Sequence, residues 1–460
     1  MKSMSRVLKE DRRSFGRATT GLLRGLMTSV ALLALATGSL EAQTASPDQA
    51  AVLGTGVQAP LRFAGESGPE NQVTLSFGAS AFYDDNVFAN NVGRVSDEGV
   101  SLSSHFGAAR QTEHLRLTFD YMPFFMLYRQ SDQYDRLNHT ANVNLSYQLS
   151  PRFVLGLHDA FSYQNGLFPS LSGQQIMSGP ASPTGLDQLI YPYTTRTLSN
   201  AAGLDVTFEK SRRTSVTLSG GFGQRKFGSQ TTTQPLYNDV ELSGGLQYQY
   251  RLTPHTSFGI LLLHQDTTYQ GGQVFGNRLR SQVENVFLSL GSRVSPSVTI
   301  TVYGGTEYFR TIGESAVLVR TSGRFQGAGG ASITKQVGKT AVDLSGQRLV
   351  SDGGGLYTSV IKTSASVGLR RRLVGRWEGS WYGGAIRADS SLFQLASGKT
   401  DGVMSGVSLS RPVARGSVFR VSYDTVHQLS KGTLPISATF DRNQVSVGFD
   451  YRLKAIDLGR

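Results

Sequence analysis

The 460-residue chain has no cysteine. That removes disulfide frameworks, thiolate metal sites and cysteine nucleophiles, and it spares a chain that crosses an oxidising compartment from mispairing. Charged residues make up only 17% of the chain and tryptophan occurs twice, a poor match to a helical enzyme rich in Glu, Lys and Leu. Beyond the N-terminal region there is no apolar run of about 18 to 20 residues, so no membrane helix is available. If this chain crosses a membrane, only a closed β-barrel can satisfy its backbone groups there. The seven histidines, His105, His114, His139, His158, His255, His264 and His427, are dispersed without HExxH or His-x-His spacing, so no metal and no cofactor is expected.

What is abundant is glycine, with 53 residues, together with 24 phenylalanines and 18 tyrosines. Gly, Ser, Thr and aromatic enrichment suits short strands joined by turns, an all-β composition. The net charge of +12 is shared with the N-terminus, where seven basic residues stand against Glu10, Asp11 and Glu41 before residue 43. The remainder is scattered over turns and loops rather than along one helix face, which speaks for anionic surfaces or solutes and against a nucleic-acid partner.

A basic stretch ending at Arg24, the apolar segment Gly25 to Ala36 and small residues through Ala42 have the order of a secretory signal peptide, 1–42. Asp11-Arg12-Arg13-Ser14-Phe15 resembles a twin-arginine signal, but that route carries folded cargo, which a lipid-facing barrel cannot be. Residues 43–70 show no sustained period and read as a flexible periplasmic lead-in or a short plug helix. From Val73 onward apolar residues alternate with polar ones, as in Val73/Leu75/Phe77/Ala79 and Val445/Val447/Phe449/Tyr451, the signature of half-buried strands.

The links alternate in length. Tight polar links at 110–113, 150–152, 209–213, 251–255, 292–297, 335–339, 370–376 and 411–416 separate longer segments, the largest from Asn165 to about Arg196. Short turns at one end and long loops at the other predict a transmembrane antiparallel β-barrel over 71–460, with about 18 strands (16 to 18) and both termini in the periplasm. Aromatics near strand ends, among them Phe124, Phe125, Tyr128, Phe449 and Tyr451, fit interfacial girdles.

With the apolar stripe facing lipid, the polar stripe assigns Arg116, Asp120, Asp205, Glu241, Glu307, Asp343, Lys362, Glu378, Arg420, Asp424 and Asp450 to the lumen. Two readings follow. These charges tune solute selectivity across a hydrated pore, or they neutralise one another and fill the interior.

The first strand leads into Tyr83-Asp84-Asp85-Asn86-Val87-Phe88. Its carboxylates and amide can be weighed as a hard-cation site, but calcium takes six or more oxygens and no further ligand spacing follows. A turn in which Asp and Asn bond their own backbone is the simpler reading. The six-residue run resembles the opening motif of outer-membrane β-barrel porins of the exopolysaccharide-associated type. The resemblance implies a channel in the Gram-negative outer membrane, with outer-membrane lipid and lipopolysaccharide around it, the barrel-assembly machinery as a partner in biogenesis, and polysaccharide as one solute class. Such barrels commonly end on an aromatic residue of the last strand, whereas here Tyr451 is followed by nine more residues.

The function expected is passage of hydrophilic solutes, with 43–70 and the loop around Pro180 as candidate plugs. The competing readings are a non-transporting adhesin or scaffold working through its loops, and a lipid-edge hydrolase using His139 with Asn142 or His158 with Asp159. No serine motif accompanies those histidines, so no enzyme is expected.

Overall fold

A computed structural model of the chain describes residues 47–48, 62–63, 71–89, 91–132, 135–165, 196–228, 236–270, 279–314, 319–353, 357–390, 398–432 and 439–458. The signal-peptide expectation and nearly all of the lead-in lie outside them. Within 43–70 two dipeptides, Pro47–Asp48 and Arg62–Phe63, form a short antiparallel ladder.

The remainder is one closed antiparallel sheet of eighteen long strands. In chain order they are β1 (Gln72–Asp84), β2 (Asp97–Gln111), β3 (Leu115–Tyr128), β4 (Arg136–Ser150), β5 (Phe153–Asn165), β6 (Arg196–Ser211), β7 (Thr214–Phe227), β8 (Asn238–Thr253) and β9 (Thr256–Gln270). The second half comprises β10 (Leu279–Ser295), β11 (Val298–Glu314), β12 (Val319–Val337), β13 (Thr340–Gly353), β14 (Tyr357–Arg372), β15 (Glu378–Asp389), β16 (Gly398–Ala414), β17 (Ser417–Gly432) and β18 (Phe440–Arg452). Each strand pairs with its sequence neighbours, and β18 returns to β1 in the register Gln444↔Asp84 through Arg452↔Ser76. The expected fold, strand count and tight links are all present.

The residues after Tyr451 extend this closure. Ile456 and Asp457 pair with Val73 and Gln72, and the amides of Leu453 and Leu458 donate to the carbonyls of Leu75 and Asn71.

The tight turns have a repeated local cause. At Ser150, Ser211, Thr253 and Ser295 the strand ends on a hydroxyl residue whose oxygen accepts the amide two positions on, at 3.2–3.3 Å. Proline follows three of the four, presetting the first turn dihedral. The register slips by one residue at each of these sites, so the bulge and turn together reverse the chain within two residues. Two further turns use glycine with positive φ, Gly338 at +56° and Gly416 at +80°.

Strands of 12 to 19 residues exceed the roughly 9 to 11 needed to cross a bilayer when tilted. The surplus lies towards the loop end. Outward side chains form an apolar band including Phe77, Leu102, Leu157, Leu218, Leu246, Leu288, Val407 and Phe449, all exposed. Above it on β9–β11 the outer surface turns polar, with ion pairs Arg280–Asp266 and His264–Glu284.

Gly416→Val should strain the β16–β17 turn by about 1–2 kcal/mol. The expected outcome is a lower urea midpoint for the heat-modifiable folded band on a gel, without loss of the β-type circular dichroism spectrum.

Candidate functional site

Alternation along closed strands leaves one face for the interior. Leu204 beside Asp205, Leu242 beside Glu241 and Tyr423 beside Asp424 are exposed on the outside, so these three charged side chains point away from the outer face.

Seven of the eleven lie in the half nearer the tight turns. Asp120 Oδ1 is 2.9 Å from His105 Nε2, and Asp205 Oδ2 is 3.4 Å from His158 Nδ1. Arg420 forms an ion pair with Asp450, beside a small cavity bordered by Ser80, Ser101, Ser103 and Ser446. Arg116 stands in register between Gln111 and Ser146, Asp343 between Thr334 and Gly368, and Glu378 between Arg372 and Ser410. The structure therefore joins Arg420 to Asp450 and places the other five apart from one another. His105 and His158 complete this charge pattern; their place on the inward stripe was available from the alternation alone.

The other four, Glu241, Glu307, Lys362 and Asp424, lie in the loop half and are buried. Tyr382 donates its hydroxyl to Asp424 Oδ1 at 2.8 Å, and Gln326 donates Nε2–H to Glu307 Oε2 at 2.7 Å. Between these levels runs a row of hydroxyls. Ser380, Ser408, Ser422 and Ser446 are successive register partners across β15–β18, with Oγ···Oγ distances of 2.7 Å in the Ser380/Ser408 and Ser422/Ser446 pairs. A serine row supplies both donors and acceptors without fixed charge.

The loop half also carries inward apolar residues. Phe82, Val87, Phe124, Met126 and Tyr128 form one cluster with Phe88 against it. Leu261, Phe287 and Ala328 form another, with Tyr303 and Leu349. Assigning every apolar residue to the outside therefore fails at this end. Phe124 and Tyr128, read as girdle aromatics, face inward and are buried, while Phe125 between them is exposed. Here period two still separates two faces, but apolar character no longer tells which is the outer one.

The Tyr83–Phe88 motif is a clasp across the seam between the first and last strands. Tyr83 faces out and is half exposed. Asp84, wholly buried, accepts Arg442 Nε–H on both oxygens at 3.0 Å, a further bond from Arg442 Nη2, Tyr128 hydroxyl at 3.3 Å and the Asn86 amide at 3.1 Å. Asp85 receives the Asn443 amide and its Nδ2–H, each at 2.7 Å, so a side chain continues the ladder where the backbone of β1 turns away. Asn86 Nδ2 and Arg94 Nη2 both donate to the Asp441 carbonyl at 2.7 Å, and Val87 and Phe88 pack on the apolar cluster beneath. The carboxylates are thus committed to protein donors, and among the described residues no group of three or more His, Cys, Asp or Glu is placed to hold a metal ion.

No protein-family model matches the sequence, and no curated protein matches it. Among solved structures, the chain is similar to Pseudomonas aeruginosa OccK2 (OpdF) in complex with glucuronate, at 11% identity, with 83% of this chain and 98% of that chain covered and a TM-score of 0.42. It is also similar to Acinetobacter baumannii OccAB4, at 11% identity, 84% and 98% coverage and a TM-score of 0.39. A third is the ferric citrate transporter FecA in the unliganded form, at 8% identity, 89% and 82% coverage and a TM-score of 0.44. The barrel itself rests on its own strand register.

Removing one partner of a buried ion pair typically costs about 3–5 kcal/mol, whereas replacing both with apolar residues costs less. Asp84→Ala and Arg442→Ala should each open the seam, read as a lower temperature for conversion of the folded band to the unfolded one. The double replacement Asp84→Leu with Arg442→Met should recover part of the loss; a double variant as weak as the sum of the two singles would refute the clasp.

Proposed function

We propose that this chain is an outer-membrane channel for hydrophilic solutes, set in the Gram-negative outer membrane with its tight turns in the periplasm. The observation that carries the reading is the closed eighteen-strand wall with an exposed apolar band outside and hydroxyl, carboxylate and basic groups inside. A soluble protein has no means of covering so continuous an apolar surface, while lipid requires it. Eighteen strands enclose enough width for an aqueous path unless something fills it.

In this reading the turn half is a hydrated vestibule in which Asp120, Asp205, Arg116 and the Arg420–Asp450 pair meet solutes. Lipid and lipopolysaccharide surround the barrel, and the assembly machinery inserts it. The sequence resemblance adds oligo- or exopolysaccharide as a solute class, and the serine row across β15–β18 supplies the neutral hydrogen bonding that a polyhydroxyl compound would use. The second reading, a surface barrel that does not transport, is favoured by one observation: inward side chains of the loop half are buried, so the path narrows there.

Single-channel recording in planar bilayers separates the two, since the channel reading requires discrete openings and none under any polarity supports the surface barrel. Arg420→Ala leaves Asp450 unpaired, so the reversal potential in a salt gradient should move towards cation selectivity, and Asp450→Ala should move it the opposite way. Reversal potentials unchanged in both variants would remove the pair from the path. Liposome swelling with sized neutral and anionic oligosaccharides tests the solute class.

A further inference from the structure

The wall is incomplete at one place. β12 and β13 pair only from Val337↔Thr340 up to Gly329↔Arg348. Beyond that point β12 continues to pair with β11 as far as Val319↔Glu314, but among the described residues its other edge meets no strand. There Phe325 is 74% exposed. β13 meanwhile stays paired with β14, in the register Leu349↔Lys362, Val350↔Ile361 and Ser351↔Val360. β14 in turn stays paired with β15 as far as Ile361↔Asp389, so the wall parts only between β12 and β13 and the loop end of the sheet beyond that gap turns inward.

Its position is fixed by contacts two and three strands away. Val350 and Ile361 pack with Val283 of β10 and Phe309 of β11, both inward residues. Leu349 packs against the cluster of Leu261, Phe287 and Ala328. Ser359 Oγ lies 2.8 Å from Ser281 Oγ on β10. Such contacts are reached only by crossing the inner surface of β12, so this inturned edge lies inside the barrel. Its former outward face, carrying Val350 and Ile361, now rests on the inner wall.

Leaving the wall takes a ladder partner from the Val350 amide, and a buried amide must find another. It donates to Glu307 Oε2 at 2.9 Å, the same oxygen that accepts Gln326. Glu307 thus serves as a substitute strand edge inside the lumen. Extending the β12–β13 register by the next residues would bring Leu349, Val350 and Ser351 opposite Ala328, Gly327 and Gln326, the edge now open. An unpaired strand edge is a site for strand addition, and the segment nearest to it in the chain is the one that departed.

From this we infer that the inturned sheet edge, Leu349–Ser351 of β13 with Ser359–Ile361 of β14, has two positions: a docked one inside the lumen, held by Glu307, Ser281 and the Val283/Phe309 patch, and a paired one on the edge of β12, which clears the path. The inference deepens the channel reading by naming the element that narrows it. The link between the two strands, 354–356, lies outside the described residues and carries no part of the argument.

The absence of cysteine makes cross-linking a clean test. In otherwise native full-length protein, Ser281→Cys with Ser359→Cys holds the docked position, and Gln326→Cys with Ser351→Cys holds the paired one. Gly327→Cys with Val350→Cys serves as a second paired-position variant should the first fail to fold. Both kinds of pair should oxidise in outer-membrane preparations, with the paired-position disulfide forming faster in a Glu307→Ala background. Conductance should fall several-fold with the docked disulfide, rise with the paired one, and return to a common value on reduction.

Oxidation of the docked pair alone, even with Glu307→Ala, would overturn the second position. Oxidation of both with conductance indifferent to either would overturn the gating role while leaving the channel. Cross-linking at both with no conductance in any state would leave the two-position edge standing and sink the channel.

Discussion

The architecture depends on satisfying the backbone hydrogen bonds of a sheet whose outer face carries an exposed apolar band. An open edge within an apolar band leaves amides and carbonyls without partners, each costing several kcal/mol, so β1 must find β18. That closure is the least local in the chain, since Asp84 and Arg442 are separated by 358 positions. Side chains and the C-terminal segment reinforce it. Nine backbone register pairs, the returning Ile456–Asp457 segment and the buried Asp84–Arg442–Tyr128 group all bear on the same seam, and Gly448 permits the close approach, since a Cβ there would sit 2.5 Å from Ser80 Cβ.

The same constraint explains where the wall can afford to part. Pairing between β12 and β13 ends at Arg348; beyond this level the outer surface of β9–β10 carries the ion pairs Arg280–Asp266 and His264–Glu284, while Phe325 stands exposed on β12. There water can solvate the free edge of β12. Inside, water is less available, and the Val350 amide is met by a carboxylate. The seam and the gap thus follow one rule: an amide that loses its strand neighbour is given a side-chain acceptor, Asp85 for Asn443 at the seam and Glu307 for Val350 in the lumen.

The interior is divided in a corresponding way. Near the turns Arg116, Asp120, Asp205 and Asp450 are half-buried while Arg420 and the serines Ser408, Ser422 and Ser446 are buried, and several of the charges are already matched, as in Arg420–Asp450 and His105–Asp120. Near the loops apolar clusters and buried ionisable groups fill the inner surface. In the proposed channel, selectivity would belong to the wall chemistry of one end of the barrel and restriction to the packing of the other.

Much of this was legible in the sequence. Strict alternation identified strands and their two faces, and hydroxyl–proline and Gly-containing links marked the tight turns, because both are set by local backbone geometry that a few neighbouring residues control. Parity alone assigned Arg116, Asp205, Arg420 and Asp450 to the polar stripe. The same parity puts Phe124 and Tyr128 on the inner face with Arg116, whereas reading them as girdle aromatics from their apolar character alone placed them outside. The motif's own residues could not show that Asp84 would find Arg442, nor the β13 sequence that Val350 would exchange a strand for Glu307. The sequence alone determined a barrel and its inner and outer stripes, since these depend on periods of two. Only the tertiary structure decided how the seam is clasped and where the lumen narrows, because those depend on which distant groups share one small volume after the sheet has closed.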